Sequence, residues 1–233
     1  MYYYGYGIDY TYILVIIGFL ITLGAQIFVK SSYSKYKKIN TKSKLDGFEV
    51  ARKILDSNGL KNVDIVEVQG ELTDHYDPKR KVVRLSTDIY HGTSIASSSV
   101  AAHECGHAVQ DKEGYFFLRF RSALVPFANI SSRVGYIAVV IGLLFGYVKL
   151  AWIGIALEMV ILLFQIITLP VEFNASSRAA KFLAKEALIE KKEQDGSKRM
   201  LNAAAMTYVA SVVSTLLSVL RLVLIVSGRD DRR

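Results

Sequence analysis

The chain has 233 residues, of which 52% are hydrophobic and 21% are charged, and its formal net charge is +8. The hydrophobic residues lie in long runs, which favours membrane spans over a soluble globule. A single cysteine, Cys105, excludes an intramolecular disulfide bond. Much of the positive charge lies beside apolar runs, in Lys30–Lys44 and Lys181–Arg199, so it predicts a membrane topology and no nucleic-acid partner.

The first apolar run, Tyr12 to Val29, contains no charged residue and is about long enough to cross a bilayer core. Six lysines follow it between Lys30 and Lys44, whereas Asp9 is the only charged residue before it. This asymmetry predicts an uncleaved membrane anchor at residues 1–30, with Lys30 onward in the cytoplasm.

Residues 31–122 predict a small soluble α+β unit. Asp46 and Glu49 have the spacing of a helix capping box, and Asn58-Gly59 is a typical end for the helix that follows. The segment Ser94–Gln110 has no proline, and its one glycine is Gly106, so it predicts a second helix.

Two strands are predicted between these helices. Val63–Val68 and Lys81–Ser86 alternate in polarity and are rich in β-branched residues, and Tyr76-Asp77-Pro78 predicts a turn before the second strand. If the second strand had an exposed edge, an extended peptide could bind to it by strand addition; an ordinary internal strand is the alternative.

Residues 123–170 form an apolar stretch that is too long for one crossing, so they predict a transmembrane hairpin with its turn at Gly146–Leu150. Pro170 predicts a helix boundary, because proline disrupts a helix interior and is tolerated in a first turn. Residues 203–233 predict a fourth membrane helix and tail, with an amphipathic helix packed on the bundle as the alternative. The sequence thus predicts an integral membrane protein, mainly α, with about four transmembrane helices.

Residues 171–202 predict a second soluble segment between the last two spans. Val171 to Glu190 is rich in alanine and other good helix formers and contains no breaker, which predicts a helix. Gln194–Ser197 is typical of a loop.

The motif HExxH occurs at His103-Glu104-Cys105-Gly106-His107, within a predicted helix. Residues four apart project from one face of a helix, so the two imidazoles can bind one Zn²⁺ ion. Glu104 follows the first ligand, and its carboxylate is placed to take a proton from the attacking water. The motif predicts a zinc metallopeptidase; two histidines in a polar core beside a structural glutamate are the alternative.

A catalytic zinc site needs a third protein ligand and an open position. His75, His91, Glu113 and Glu172 are the candidates. We favour Glu172, because it begins a predicted helix and two membrane crossings after His107 return the chain to the same side. The alternative for Glu172 is a solvated side chain near a helix start.

His75 and His91 flank the Asp74–Tyr90 region, and either could bind substrate or stabilise an oxyanion. A surface or turn position is the alternative for both. Cys105 lies between the predicted ligands but points away from their face, so a small buried side chain is its predicted role.

Several segments resemble the YugP-type neutral zinc metallopeptidases of bacterial membranes, and the resemblance covers roughly residues 40–215. The order of a HExxH helix, membrane segments and a later glutamate is also similar to that of HtpX-type and CAAX prenyl proteases. The segments that carry the resemblance are HECGHAVQ, DHYDPKRKVVRLS, LPVEFNASSRA and LNAAAMTYVA.

This resemblance implies a zincin-like domain of the gluzincin type, with His103, His107 and Glu172 as zinc ligands and Glu104 as general base. The HtpX-type and CAAX relatives usually carry aspartate four residues after the glutamate ligand, where this chain has Ser176. A role for that position in supporting the metal ligands is therefore in question.

We expect a multi-pass protein of the cell membrane that hydrolyses peptide bonds by metal-activated water at the cytoplasmic membrane face. Its partners would be the lipid bilayer and protein or peptide substrates, including membrane proteins. The alternative is a metal-binding membrane scaffold or sensor without proteolytic activity. The sequence carries no signal of oligomeric state.

Overall fold

A computed structural model describes residues 10–230, which form seven helices and three short strands. Asp9, which precedes the first apolar run, and residues 231–233 of the predicted C-terminal tail lie outside these residues. The helices are α1 (Tyr12–Tyr36), α2 (Gly47–Ser57), α3 (Thr87–Tyr90), α4 (Ile95–Lys112), α5 (Phe116–Leu144), α6 (Val148–Lys185) and α7 (Gln194–Asp230). The strands are β1 (Asp64–Val68), β2 (His75–Asp77) and β3 (Val82–Ser86).

Four helices of the described chain, α1, α5, α6 and α7, are long and apolar enough to cross a membrane. This finding and the three-stranded sheet confirm the predicted mainly helical architecture with about four candidate spans. The predicted turn at Gly146–Leu150 is confirmed in part: α5 ends at Leu144 and Gly146 has a φ of 73°, but α6 already begins at Val148.

Pro170 lies inside α6, so the predicted helix boundary at this residue is wrong. Proline removes one N–H donor from a helix but does not end it where neighbouring contacts hold the backbone. Such contacts are present here: the Pro170 carbonyl accepts a hydrogen bond from the Tyr115 hydroxyl, and the Val171 carbonyl accepts one from Gln110. Glu172 therefore lies within a continuous helix and does not begin one.

The predicted loop at Gln194–Ser197 is also wrong, because these residues form the first turn of α7. Gly196 packs so close to the Tyr36 ring that a Cβ atom would lie 2.8 Å from its Cε1. A glycine at this position therefore allows the Tyr36 ring to pack against the α7 backbone, and it does not form a turn. The loop itself precedes α7, where Glu193 accepts hydrogen bonds from the backbone N–H groups of Lys42 and Glu190.

The sheet has the order β1-β3-β2, with β1 parallel and β2 antiparallel to β3. The predicted turn at Tyr76–Pro78 is mostly strand β2, in which Tyr76 pairs with Val83 and donates its hydroxyl to Asp111 of α4. The two predicted strands are confirmed as β1 and β3. An exposed edge at β3 is ruled out, because β3 is the central strand.

Residues 25–123 and 167–208 form one compact unit. Its core contains the apolar faces of α2, α4 and β3, and α2 begins with the predicted capping box of Asp46 and Glu49. Fully buried members of this core are Val50, Ala51, Ile54, Leu55, Val83, Leu85, Ala101 and Cys105.

The remaining described residues, 10–24, 124–166 and 209–230, belong to a second unit of apolar helical segments. Small residues bring its helices together: a Cβ atom on Gly142 would lie 2.5 Å from the backbone nitrogen of Ala151. Such small-residue contacts are typical of helix packing in membranes. Arg221, the charged residue within the last apolar run, stacks its guanidinium 4.3 Å from the centroid of the Tyr12 ring.

Candidate metal centre

The centre is built on α4, which begins at the N-cap residue Ser94 and is buried along most of its length. The Ser94 hydroxyl accepts a hydrogen bond from the backbone N–H of Ser97, which fixes the first turn. Small side chains along the helix allow close neighbours. At Gly106, a Cβ atom would lie 2.8 Å from the carbonyl oxygen of Ala175, so α6 packs directly against the α4 backbone.

This close packing brings Glu172 of α6 to the two histidines of α4. Nε2 of His103 lies 3.3 Å from Oε2 of Glu172, and Nε2 of His107 lies 3.7 Å from the same oxygen. One donor atom from each of the three residues lies within 4.8 Å of the others. The three predicted ligands therefore converge.

The spacing and chemistry of these donors suit a zinc ion. Two atoms that each lie about 2.05 Å from a tetrahedral zinc are about 3.3 Å apart. The separation of His103 Nε2 and Glu172 Oε2 is 3.3 Å, and that of His107 Nε2 and the same oxygen is 3.7 Å. Two imidazoles and one carboxylate also form a known ligand set of catalytic zinc, with a fourth position left for water.

Hydrogen bonds on the far side of both imidazole rings orient them. Nδ1 of His107 lies 3.0 Å from Oε1 of Gln110, and Nδ1 of His103 lies 3.3 Å from the Ser176 hydroxyl. The Gln110 oxygen is an acceptor, so Nδ1 of His107 donates and Nε2 keeps the lone pair that a metal ion needs. Ser176 occupies the position at which the HtpX-type and CAAX relatives usually carry aspartate. From this position its hydroxyl contacts the His103 ring.

Gln110 is completely buried and links His107 to α6. Its amide nitrogen donates to the Val171 carbonyl and to Oδ1 of Asn174, both at 2.9 Å. Asn174 in turn accepts a hydrogen bond from Arg178. This chain of contacts ties the ring of one ligand to the helix that carries another.

Glu113, a candidate third ligand in the sequence, pairs with Arg178 instead. Nη2 of Arg178 donates to Oε2 of Glu113 at 2.6 Å. This hydrogen bond holds the pKa of the Glu113 carboxyl below its usual range. The pair joins the end of α4 to α6 about one turn beyond Asn174.

Glu104 is buried beside the ligands and lines two cavities that border them. Burial raises the pKa of its carboxyl, although the charges of His103 and His107 act in the opposite direction. A general base works best with a pKa nearer to neutrality than that of a free glutamate, so this environment suits the predicted role.

Two cavities border the histidines and Glu172. The first, of about 140 Å³, is mainly apolar and extends along α7 as far as Tyr208. The second, of about 170 Å³, is polar and is lined by His75, Arg121 and Ser122, among others. We call them the apolar and the polar cavity.

A family profile described as "Putative neutral zinc metallopeptidase" matches residues 11–227. The chain belongs to this family. A protein of Bacillus subtilis (strain 168) described as "Putative membrane protease YugP" is 47% identical over 208 residues, which cover 89% of this chain and 92% of that protein. No solved structure matches the chain. The resemblance to YugP-type proteins predicted from the sequence is therefore confirmed, and the relative and the four apolar helices together indicate a membrane protein.

In this member of the neutral zinc metallopeptidase family, the two histidines outside the HExxH motif, His75 and His91, lie in different parts of the structure. His75 lines the polar cavity beside Glu104 and His107, and its Nδ1 lies 2.8 Å from the Thr73 carbonyl. His91 lies apart from the three converging ligands, at the end of α3, with its Nε2 3.2 Å from Glu67 and its side chain 60% exposed. The structure thus brings only the first of these histidines to the centre among the described residues.

Sequence reasoning missed three residues around the centre. Gln110 lies three residues after His107, on the same helix face, so its spacing was a usable signal. Asp74 lines both cavities, and Ser86 donates two hydrogen bonds to its carboxylate. Tyr208 lines both cavities together with Glu172. Asp74 and Tyr208 lie far along the chain from HExxH, and no local pattern assigns them a role.

Proposed function

We propose that the chain is a zinc-dependent endopeptidase that hydrolyses peptide bonds of protein or peptide substrates at the cytoplasmic membrane face. One observation carries this proposal: His103, His107 and Glu172 place donor atoms within 4.8 Å of one another, with the buried carboxylate of Glu104 beside them. Membership of the neutral zinc metallopeptidase family supports the same chemistry.

In the proposed reaction, His103, His107 and Glu172 hold the zinc ion. The ion would supply Lewis acidity, which polarises the scissile carbonyl and lowers the pKa of the attacking water. Glu104 accepts a proton from that water and passes it to the nitrogen of the leaving amine. The attacking group is water and not a side chain, so no acyl-enzyme forms.

Tyr208 and His75 would contact the substrate beside the reacting atoms. Both line the polar cavity, and Tyr208 also lines the apolar cavity. A phenol or imidazole donor next to the reacting carbonyl stabilises the negative charge that develops on its oxygen. We assign this role first to Tyr208, because it lines both cavities together with His103 and Glu172.

The proposed membrane side follows from charge. Each of the four apolar helices has one end in the compact unit of residues 25–123 and 167–208, as four successive crossings require. Lysines between Lys30 and Lys44 follow the first span within this unit. Because positively charged segments next to spans stay in the cytoplasm, we place the metal centre on that side.

The decisive experiment replaces Glu104 by Gln in the purified full-length protein and measures both zinc content and peptide hydrolysis. We expect zinc to stay bound and the hydrolysis rate to fall by about 100-fold or more, because the proton acceptor is lost. The control is Glu67→Gln, which replaces an exposed carboxylate of β1 and should leave zinc content and hydrolysis rate unchanged. Retained hydrolysis in Glu104→Gln would exclude Glu104 as the base, and zinc binding without hydrolysis in the unaltered protein would favour a scaffold or sensor.

The same assay tests the third ligand. Helix α6 carries two carboxylates, Glu158 and Glu172. Glu172→Gln should weaken zinc binding, whereas Glu158→Gln should not. Equal zinc affinity of the two variants would remove Glu172 from the proposed ligand set.

A further inference from the structure

The apolar cavity has a wall made by one face of α7. Met200, Leu201, Ala204 and Ala205 lie on this face at helical spacing, and Tyr208 continues it. Val100 of α4 closes the cavity from the opposite side. Met200, Leu201 and Ala205 are at most 5% exposed, so the wall is a fixed part of the fold and not a set of mobile surface side chains.

The lining of this cavity also includes Leu72, Asp74 and the metal centre itself. His103, Glu104, Glu172 and Ser176 border it. A side chain that enters the cavity therefore belongs to a residue whose backbone lies at the reacting atoms.

The size of the cavity selects one side chain of moderate volume. It measures about 140 Å³, and an apolar cavity of about 150 Å³ in another protein binds benzene. A leucine, methionine or phenylalanine side chain fits this space, whereas glycine leaves it unfilled and aspartate places a charge against apolar walls.

We propose that the apolar cavity is a specificity subsite that accepts the leucine, methionine or phenylalanine side chain of a residue adjoining the scissile bond. The proposal rests on the proposed peptidase function and adds a substrate class to it. The polar cavity shares Asp74 with the apolar cavity but adds His75 and Arg121, and it takes the more polar flank of the substrate. The two sides of the cleavage site thus have opposite preferences.

Segments near a membrane surface are the natural source of such a residue. The apolar cavity includes Val29 of α1 together with the face of α7, and both helices are candidate membrane spans. A polypeptide that reaches the centre along these helices presents an apolar side chain where its membrane-embedded part ends.

The test uses full-length protein in nanodiscs, loaded with zinc, and fluorescent Gly/Ser-rich peptides that differ at a single central residue. Binding is measured on the Glu104→Gln variant, so that it does not depend on turnover. Cleavage by the unaltered protein is mapped by mass spectrometry. We expect peptides with central Leu, Met or Phe to bind about tenfold or more tightly than the Gly or Asp peptides, and to be cleaved next to that residue.

Ala204→Phe, added to both proteins, fills the cavity. It should remove the preference by lowering affinity for the Leu, Met and Phe peptides about tenfold, to the level of the Gly peptide. Met206→Phe is the matched control, because Met206 lies on the same helix and is 40% exposed. Val100→Ala enlarges the cavity and should shift the binding preference towards the Phe peptide. If Ala204→Phe does not fold, this variant tests whether the cavity selects the central side chain.

Each outcome has one meaning. Equal binding of all peptides, or a preference that Ala204→Phe and Val100→Ala leave unchanged, overturns the subsite. Cleavage without side-chain preference leaves the peptidase function intact and removes only the subsite. Selective binding without cleavage by the unaltered protein supports the subsite and contradicts the peptidase function.

Discussion

Gln110 is the residue on which the orientation of His107 depends. It is completely buried, receives the Nδ1–H of the imidazole and donates to two groups of α6. A buried amide with its hydrogen bonds satisfied resists rotation, because any other orientation leaves polar groups unpaired. The lone pair on Nε2 of His107 is thereby kept on the side of Glu172.

We predict that Gln110→Leu lowers zinc affinity by about 10- to 100-fold, the usual effect of losing a partner that orients a metal ligand. Leucine fills a similar volume but offers neither acceptor nor donor. The measurement is a competitive zinc titration of the purified protein, with circular dichroism to follow unfolding.

Gln110→Glu separates orientation from folding. Glutamate keeps an acceptor for Nδ1 of His107 but cannot donate to Val171 or Asn174. We expect zinc affinity above that of Gln110→Leu and a lower unfolding temperature than the unaltered protein. If both variants bind zinc as the unaltered protein does, the hydrogen bond has no role in the centre.

The ligands themselves were predictable from sequence, and their supporting residues were not. A four-residue spacing on a helix identified His103 and His107. The parity of membrane crossings and a predicted helix start only favoured Glu172 among four candidates, and that helix start is absent from the structure. Ser176 and Gln110 act through contacts between α4 and α6, and Tyr208 of α7 lines the two cavities. Such contacts depend on how helices that are distant in sequence pack, which a single sequence does not specify.

At the scale of elements, the approach of α4 to α6 decides whether the ligands meet. Gly106 lies between the two histidines on α4, and Ala175 lies between Glu172 and Ser176 on α6. The contact is made by backbone atoms of Ala175, which cannot move aside as a flexible side chain can. The glycine of HECGH is thus explained by packing, independently of the chemistry of its neighbours.

We predict that Gly106→Ala destabilises the protein by about 1–3 kcal/mol, the usual cost of adding a methyl group to a filled space. The helices must separate to accept it, so Glu172 moves away from the imidazoles and zinc affinity falls. Thermal unfolding and zinc titration measure the two effects.

Gly24→Ala is the control for this change, because α1 has nothing within 4 Å of the position where the new methyl group would lie. We expect Gly24→Ala to leave stability and zinc binding unchanged. A Gly106→Ala protein with normal stability and normal zinc affinity would show that α4 and α6 do not need this close contact.

The elements that were mispredicted share a physical cause. Pro170 and Gly196 are helix breakers by local propensity, yet both lie in helices because buried contacts fix the backbone around them. Strand β2 has only three residues and gains its place through pairing with β3 and the hydrogen bond of Tyr76 to Asp111. Capping, alternation and helical periodicity identified α2, β1, β3 and α4 because these signals are local.

At the scale of the whole molecule, the loop between α5 and α6 and the sheet-containing unit are predicted to face opposite sides of the membrane. Cysteine labelling tests this, because Cys105 is fully buried and burial raises the pKa of its thiol. Its reactivity should therefore be low. In intact cells, an impermeant maleimide should label Tyr147→Cys and not Lys61→Cys.

Permeabilised cells provide the control, in which both introduced thiols should react. Tyr147 is 64% exposed and Lys61 is also exposed, so access within the protein does not limit either reaction. Labelling of Lys61→Cys in intact cells would place the sheet and the metal centre outside, and would contradict the cytoplasmic assignment.

The residues that are hydrogen-bonded to the two imidazoles would affect the positive charge of a metal ion held by the rings. Ser176 and Gln110 are both uncharged, whereas many zinc-binding histidines are backed by a carboxylate that makes the ring a stronger electron donor. With neutral partners, the rings neutralise less of the positive charge of an ion held between them, and Glu172 adds one negative charge. The centre would therefore act as a comparatively strong electrophile, suited to breaking an unactivated amide.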